Sequence, residues 1–213
     1  MVFLFIPNII GYLRFAALFA VFPLYRTQPL LTILLYAVSQ GLDAFDGWAA
    51  RKFHQSTRFG AVLDMVCDRA SDAVLLAILA ELYPAWSWVF LGDIVLDLVS
   101  HWYQMYVSLL QGDHHKNSKS RWTLLNLYYG NKTVLFTLVL GNELFLLTAY
   151  LNFFLPHLNP PQWALLLNFA GLVIGLILFA IKKLMSIIQL ISASEDLAAI
   201  DIKERAEKAS KSD

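Results

Sequence analysis

Six apolar runs of about 20 residues, near 9–25, 29–50, 60–83, 86–110, 132–155 and 162–185, are each long enough to cross a bilayer. Lipid offers no water to satisfy a backbone, so runs of this kind fold as helices. The separators "YRTQP", "RKFHQSTRF", "YPAW", "QGDHHKNSKSRWTLLNLYYGN" and "PHLNPPQ" carry the Pro, Gly and polar residues that punctuate helices. Composition agrees, with 58% of residues hydrophobic and 15% charged, where a soluble domain has about 25% charged. The expectation is an all-α integral membrane protein, one domain over 1–213, with six transmembrane helices around a polar, cytosol-facing cavity. A charged tail from about 194 to 213 extends the last helix into solvent. The N-terminus lacks a basic leader region, and Pro7, Asn8 and Arg14 break its apolar stretch, so no cleavable signal is expected.

Formal net charge is zero, with 16 basic and 16 acidic residues, so bulk charge offers nothing to nucleic acid. Its distribution is informative. With six spans, Arg51, Lys52, Arg58, Lys116, Lys119, Arg121, Lys132 and the tail cations fall on one side and Arg26 on the other, which makes that first side and both termini cytosolic. "NKT" at 131–133 then faces the cytosol and stays unglycosylated. Cys67, the only cysteine, excludes an internal disulfide and is expected to pack as a small hydrophobe. "DHHK" at 113–116 lacks zinc-ligand spacing and reads as solvated loop. Trp86, Trp88, Trp122 and Trp163 fall at expected interfaces, as an aromatic belt does.

Against this background four carboxylates stand out, because Asp43, Asp46, Asp64 and Asp68 all lie inside apolar runs. Unpaired in lipid they would cost on the order of 10 kcal/mol together. Asp43 and Asp46 are i, i+3 and Asp64 and Asp68 are i, i+4, so each pair shares one helical face. Counted from Arg51 and Arg58, both pairs sit roughly 7–15 Å inside neighbouring helices joined by a short loop. They should face each other. Four converging carboxylates repel unless protonated or bridged by cations, and an all-oxygen cluster suits two Mg²⁺ or Mn²⁺ ions better than zinc. Divalent ions held this way grip diphosphates. Gly47 would let a phosphate approach the backbone, Ala50 leaves room beside it, Arg51 could bind phosphate oxygens, and Gly60 opens the facing helix. Asn8 and Arg14 lie near the start of the first span, where Asn8 could reach a nucleotide, though a helix cap with a snorkelling Arg14 fits as well. The alternative for the aspartates is an interhelical tie to Arg51, Arg58 or Arg69.

The pattern Asp43-x2-Asp46-Gly47-x2-Ala50-Arg51-x8-Gly60-x3-Asp64-x3-Asp68 resembles the complete signature of the CDP-alcohol phosphatidyltransferases. The resemblance implies a six-helix membrane fold, a pair of Mg²⁺ or Mn²⁺ ions on the four aspartates, and Asp68 as the base for the attacking hydroxyl. It also implies that Gly47, Arg51 and Thr57 contact the CDP group. "FLFIPNIIGYLRF", "LDLVSHWYQ" and "LYYGNKTVLFTLVLGNELFLLTAYL" are similar to the branch of that family whose acceptor is myo-inositol, with CDP-diacylglycerol as donor, at the endoplasmic reticulum membrane. Members are often homodimers, for which the third and fourth spans would supply contacts.

An uncharged polyol calls for hydrogen-bonding groups inside the bundle. Asp97 and His101, at i, i+4 and sharing a face with Asp93, are candidates, as is Arg69. A satisfied interhelical hydrogen bond explains Asp97 and His101 equally well. Glycerol 3-phosphate as acceptor would require further inward cations, and few beyond Arg69 are expected. A divalent-cation transporter would show internal repeats, and none is visible.

Overall fold

A computed structural model describes residues 1–111 and 121–212. The histidine-bearing "DHHK" stretch, Lys116 and Lys119 lie outside the described residues. Within them are α1 (Ile6–Val21), α2 (Pro29–Lys52), α3 (Arg58–Leu82), α4 (Ser87–Gln111), α5 (Thr123–Gly130), α6 (Lys132–Leu158) and α7 (Gln162–Ser212), with 3-10 turns at Val2–Leu4 and Pro84–Trp86. No strand occurs among the described residues.

The first run differs from expectation. It begins earlier because Pro7 is accommodated in the first helical turn, where its missing N–H costs nothing. It stops at Val21 because Pro23 brings no N–H to continue the helical hydrogen bonds, although Phe22 itself keeps helical geometry. The short α5 falls in a stretch expected to be loop. Its Leu125 and Tyr128 are buried against Leu138, Met185 and Ile188, so packing, not length, stabilises it. By length and composition α6 and α7 are long and apolar enough to cross a membrane, and α1 is a shorter apolar helix. In α2 and α3 the carboxylates and arginines that build the site lower the hydropathy.

The chain forms two compact units. The first comprises Met1–Leu91 and Leu146–Phe169. Its core includes Leu18, Val21, Tyr36, Leu75, Leu79, Leu146 and Tyr150. Tyr150 Oη donates to the Tyr25 carbonyl at 2.6 Å, and Tyr83 Oη to that of Ala149 at 2.9 Å. The reversal between α2 and α3 is built locally. His54 adopts a left-handed conformation (φ 55°) just past the end of α2, while the amides of Phe53 and Gln55 bond back to Ala49 and Ala50. Thr57 then caps α3 by accepting from the Gly60 amide at 3.0 Å. This tight return sets the two aspartate pairs at matching depth.

The second unit comprises Gly92–Phe145 and Ala170–Asp213. Gly175 is required there, since a Cβ would lie 2.6 Å from the Phe145 amide nitrogen. Small residues at such crossings let helix backbones touch. Trp122 packs against the Leu125 and Tyr128 cluster instead of joining an aromatic belt, whereas Trp86, Trp88 and Trp163, in the first unit, are exposed as a belt requires; Leu165, Leu166, Phe169, Ile174 and Ile177 expose apolar surface along α7.

Candidate active site

All four signature aspartates meet within the first unit, around a side chain from α1. Arg14 is fully buried, with Nη1 2.7 Å from Asp43, 3.1 Å from Asp46 and 3.0 Å from Asp64, and Nη2 2.5 Å from Asp68. Ser39 Oγ donates to the Arg14 carbonyl at 3.2 Å, fixing this point of α1 against α2. The sequence offered Arg14 as a snorkelling residue, and its burial corrects that reading. A guanidinium encircled by carboxylates is held inward by Coulomb attraction that a headgroup region could not match. Among the described residues no ion pair links Arg51 or Arg58 to the cluster. Arg69 does reach it, with Nη2 3.8 Å from Asp68, while its Nη1 donates to Asp72 at 3.3 Å.

Arg14 gathers the carboxylates without neutralising them. With Arg69 and Asp72 included, five acids face two guanidiniums, an excess of three negative charges. Oxygens of Asp43, Asp64 and Asp68 lie within 4.8 Å of one another, and these three side chains are partly exposed whereas Asp46 is nearly covered. An all-oxygen, net-negative and partly open donor set is what a hard divalent cation takes. The residues therefore fit such an ion.

Beside the cluster lies a cleft of about 160 Å³, lined by Pro7, Asn8, Gly11, Asp46, Gly47, Ala50, Gln55, Ser56, Thr57, Gly60, Ala61, Leu63 and Asp64. Asn8, Gly47, Ala50, Thr57 and Gly60, all expected to meet a nucleotide diphosphate, thus line one cleft, whereas Arg51 is not among its lining residues. Gly60 is fitted closely, because a Cβ there would stand 3.0 Å from Asn8 Oδ1 and 3.2 Å from Thr57 Oγ1. At Gly47 a Cβ would touch only the Arg51 guanidinium, at 3.5 Å, which leaves that backbone accessible. Asn8 Nδ2 donates to the Val2 carbonyl at 2.6 Å, and its Oδ1 has no hydrogen-bond partner among the described residues. Gln55 and Ser56 were not singled out in the sequence. Gln55 accepts the Ile6 amide at 2.9 Å, tying the start of α1 to the α2–α3 loop.

Asp97 and His101 belong to the second unit. Asp97 is buried, with His101 Nδ1 3.5 Å and Lys182 Nζ 3.7 Å from its carboxylate. Asp93 pairs with Lys183 at 2.9 Å. These two lysines overturn the expectation that few cations beyond Arg69 point inward. "FAIKKLMS" carried the signal, since adjacent lysines inside an apolar helix must find acids, and Asp93 and Asp97 are one turn apart. Cys67 is buried as expected, its Sγ donating to the Gly11 carbonyl at 3.5 Å.

The family model for CDP-alcohol phosphatidyltransferase matches residues 4–192. The CDP-diacylglycerol--inositol 3-phosphatidyltransferase of Candida albicans is 43% identical over 202 residues, covering 94% of this chain and 84% of that one. The human protein of the same name is 40% identical over 209 residues, 97% of each. That of Saccharomyces cerevisiae is 38% identical over 206 residues, 96% of this chain and 90% of that one. No solved structure matches. With a model spanning nearly its whole length and the full set of signature aspartates gathered at one point, the chain belongs to the CDP-alcohol phosphatidyltransferase family.

Proposed function

We propose that this protein transfers the phosphatidyl group of CDP-diacylglycerol to myo-inositol, giving phosphatidylinositol and CMP. The observation that carries this reading is near-full-length identity of about 40% to relatives named for that reaction in yeasts and human, joined to a four-aspartate cluster beside a cleft. Asp43, Asp46, Asp64 and Asp68 would hold two divalent ions, Mg²⁺ or Mn²⁺. When bound, such ions neutralise charge on the diphosphate and on the departing CMP.

The chain's own groups do the rest. Asp68 accepts the proton of the attacking inositol hydroxyl, and its contacts to Arg14 and Arg69 orient its carboxylate. Gly47 and Ala50 leave the α2 wall of the cleft low enough for phosphates, and Arg51 beside Gly47 supplies a guanidinium for their oxygens. Asn8, Thr57 and Gly60 form the opposite wall for the nucleotide. For the inositol hydroxyls the candidate in the first unit is Arg69, beside Asp68, and the candidates in the second unit are Asp97 and His101. The unit of function is the whole chain 1–213, since the family match spans both compact units. It lies in the endoplasmic reticulum membrane with six spans, the site and both termini cytosolic, as a homodimer.

The test is incubation of purified protein with CDP-diacylglycerol, Mn²⁺ and a panel of labelled acceptors. Labelled phosphatidylinositol is the expected product. Preferential labelling from glycerol 3-phosphate or serine would overturn the acceptor assignment while leaving the family intact.

A further inference from the structure

In the chemistry just described Arg14 only helps to orient Asp68, yet it occupies the centre of the cluster. Its Nη1 carries two hydrogens and faces three carboxylates. Hydrogen-bond geometry is met for Asp46 and Asp64, whereas Asp43 contributes an ion-pair contact at 2.7 Å. One side chain thus serves as cation to four acids, with fewer hydrogens on Nη1 than the carboxylates it faces and its Nε–H without a hydrogen-bond partner among the described residues. The oxygens it holds belong to the same carboxylates that offer a metal its ligands. A cation bound there must share those carboxylates with a guanidinium of like charge.

We infer that Arg14 is a built-in counter-cation that keeps the four aspartates assembled in metal-free protein and competes with divalent ions for their oxygens, so that it sets the affinity of the site for metal. This rests on the metal-holding reading of the aspartates given above. Its distinctive consequence is a sign. A residue that merely braced the fold would, when removed, loosen the aspartates and weaken metal binding. A competing cation, when removed, leaves the carboxylates less neutralised and strengthens it. Two features fit competition. The guanidinium is anchored through its own backbone by Ser39, and it approaches all four acids instead of pairing with one.

The experiment measures Mn²⁺ binding to detergent-purified wild type, Arg14→Gln and Arg14→Lys by the loss of the free-ion electron paramagnetic resonance signal, with melting followed in EDTA and in saturating Mn²⁺. Arg14→Gln should bind Mn²⁺ on the order of tenfold more tightly than wild type. Its melting temperature should fall in EDTA and recover in Mn²⁺. Arg14→Lys, which keeps the charge, should bind close to wild type. If Arg14→Gln requires Mn²⁺ throughout purification to remain folded, its affinity is read by chelator competition and the same sign applies. Unchanged or weaker Mn²⁺ binding by Arg14→Gln, with wild type binding normally, overturns the competition alone. Absence of Mn²⁺ binding by every form, wild type included, overturns the metal-holding reading and this inference with it.

Discussion

Replacing Asp68 by asparagine separates chemistry from folding at this site. Oxygens of Asp43 and Asp64 lie within 4.8 Å of an Asp68 oxygen, and at an effective dielectric constant of about 20 each such like-charge contact costs roughly 3 kcal/mol. Against this, the contacts with Arg14 Nη2 and, at 3.8 Å, Arg69 Nη2 contribute roughly 5 and 4 kcal/mol on the same scale, taking the Arg14 charge centre about 3 Å away. Removing the charge forfeits roughly 3 kcal/mol more attraction than the repulsion it relieves, and the new amide carbonyl, which still accepts from Arg14, recovers part of that. Stability of metal-free protein should therefore fall by no more than about 3 kcal/mol, a shift of at most roughly 12 °C for a chain of this size. Turnover should respond very differently. A positioned base contributes about 10²–10⁴-fold, and the substitution also removes a charged metal ligand, so kcat should fall by at least about 10³-fold. The assay is transfer of labelled inositol to lipid by purified Asp68→Asn, beside a melting curve in EDTA. Turnover within about threefold of wild type would remove Asp68 from the mechanism, and collapse of the fold would show that Arg14 alone cannot hold the remaining acids.

Chelation by EDTA should stop transfer, and Mg²⁺ or Mn²⁺ should restore it; activity persisting in chelator would contradict the metal-holding role of the aspartates. Gly47→Ala should stabilise α2 by up to about 1 kcal/mol through helix propensity, since the new methyl meets only Arg51 at 3.5 Å. The same methyl should raise KM for CDP-diacylglycerol several-fold, and an unchanged KM would show that no phosphate approaches there. Lys182→Met should cost about 3 kcal/mol by stranding buried Asp97. Adding Asp97→Asn should recover more than half of that loss, and additive losses in the double-mutant cycle would mean that the two side chains are not energetically coupled.

The convergence of the aspartates was legible because two short-range rules sufficed. Spacings of three and four place Asp43 with Asp46 and Asp64 with Asp68, and a short loop returns α3 along α2. The partner at their centre was not legible, because Arg14 lies on a third helix and helix spacing says nothing about what a neighbouring element delivers. Arginine near the start of an apolar run also serves as an interfacial anchor, and only the burial of Arg14 decides against that use. Lys182 and Lys183 were missed for a different reason. They sit near the end of the last apolar run, where basic residues commonly mark the bilayer edge, and their pairing with Asp93 and Asp97 depends on the register of α4 against α7. The α5 helix escaped because its eight residues carry no periodicity strong enough to separate from loop.

The two sets of buried acids differ in how they are compensated, and the difference bears on what each can accept. In the second unit Asp93 and Asp97 each have a lysine, so the acids and ammoniums cancel and no excess charge is left to recruit an ion. In the first unit four acids surround Arg14, and the excess persists even after Arg69 is counted. Divalent cations therefore belong with the first set. Lys182 and Lys183 could bind an anion only by giving up Asp97 and Asp93, and breaking a buried pair costs about 3–5 kcal/mol.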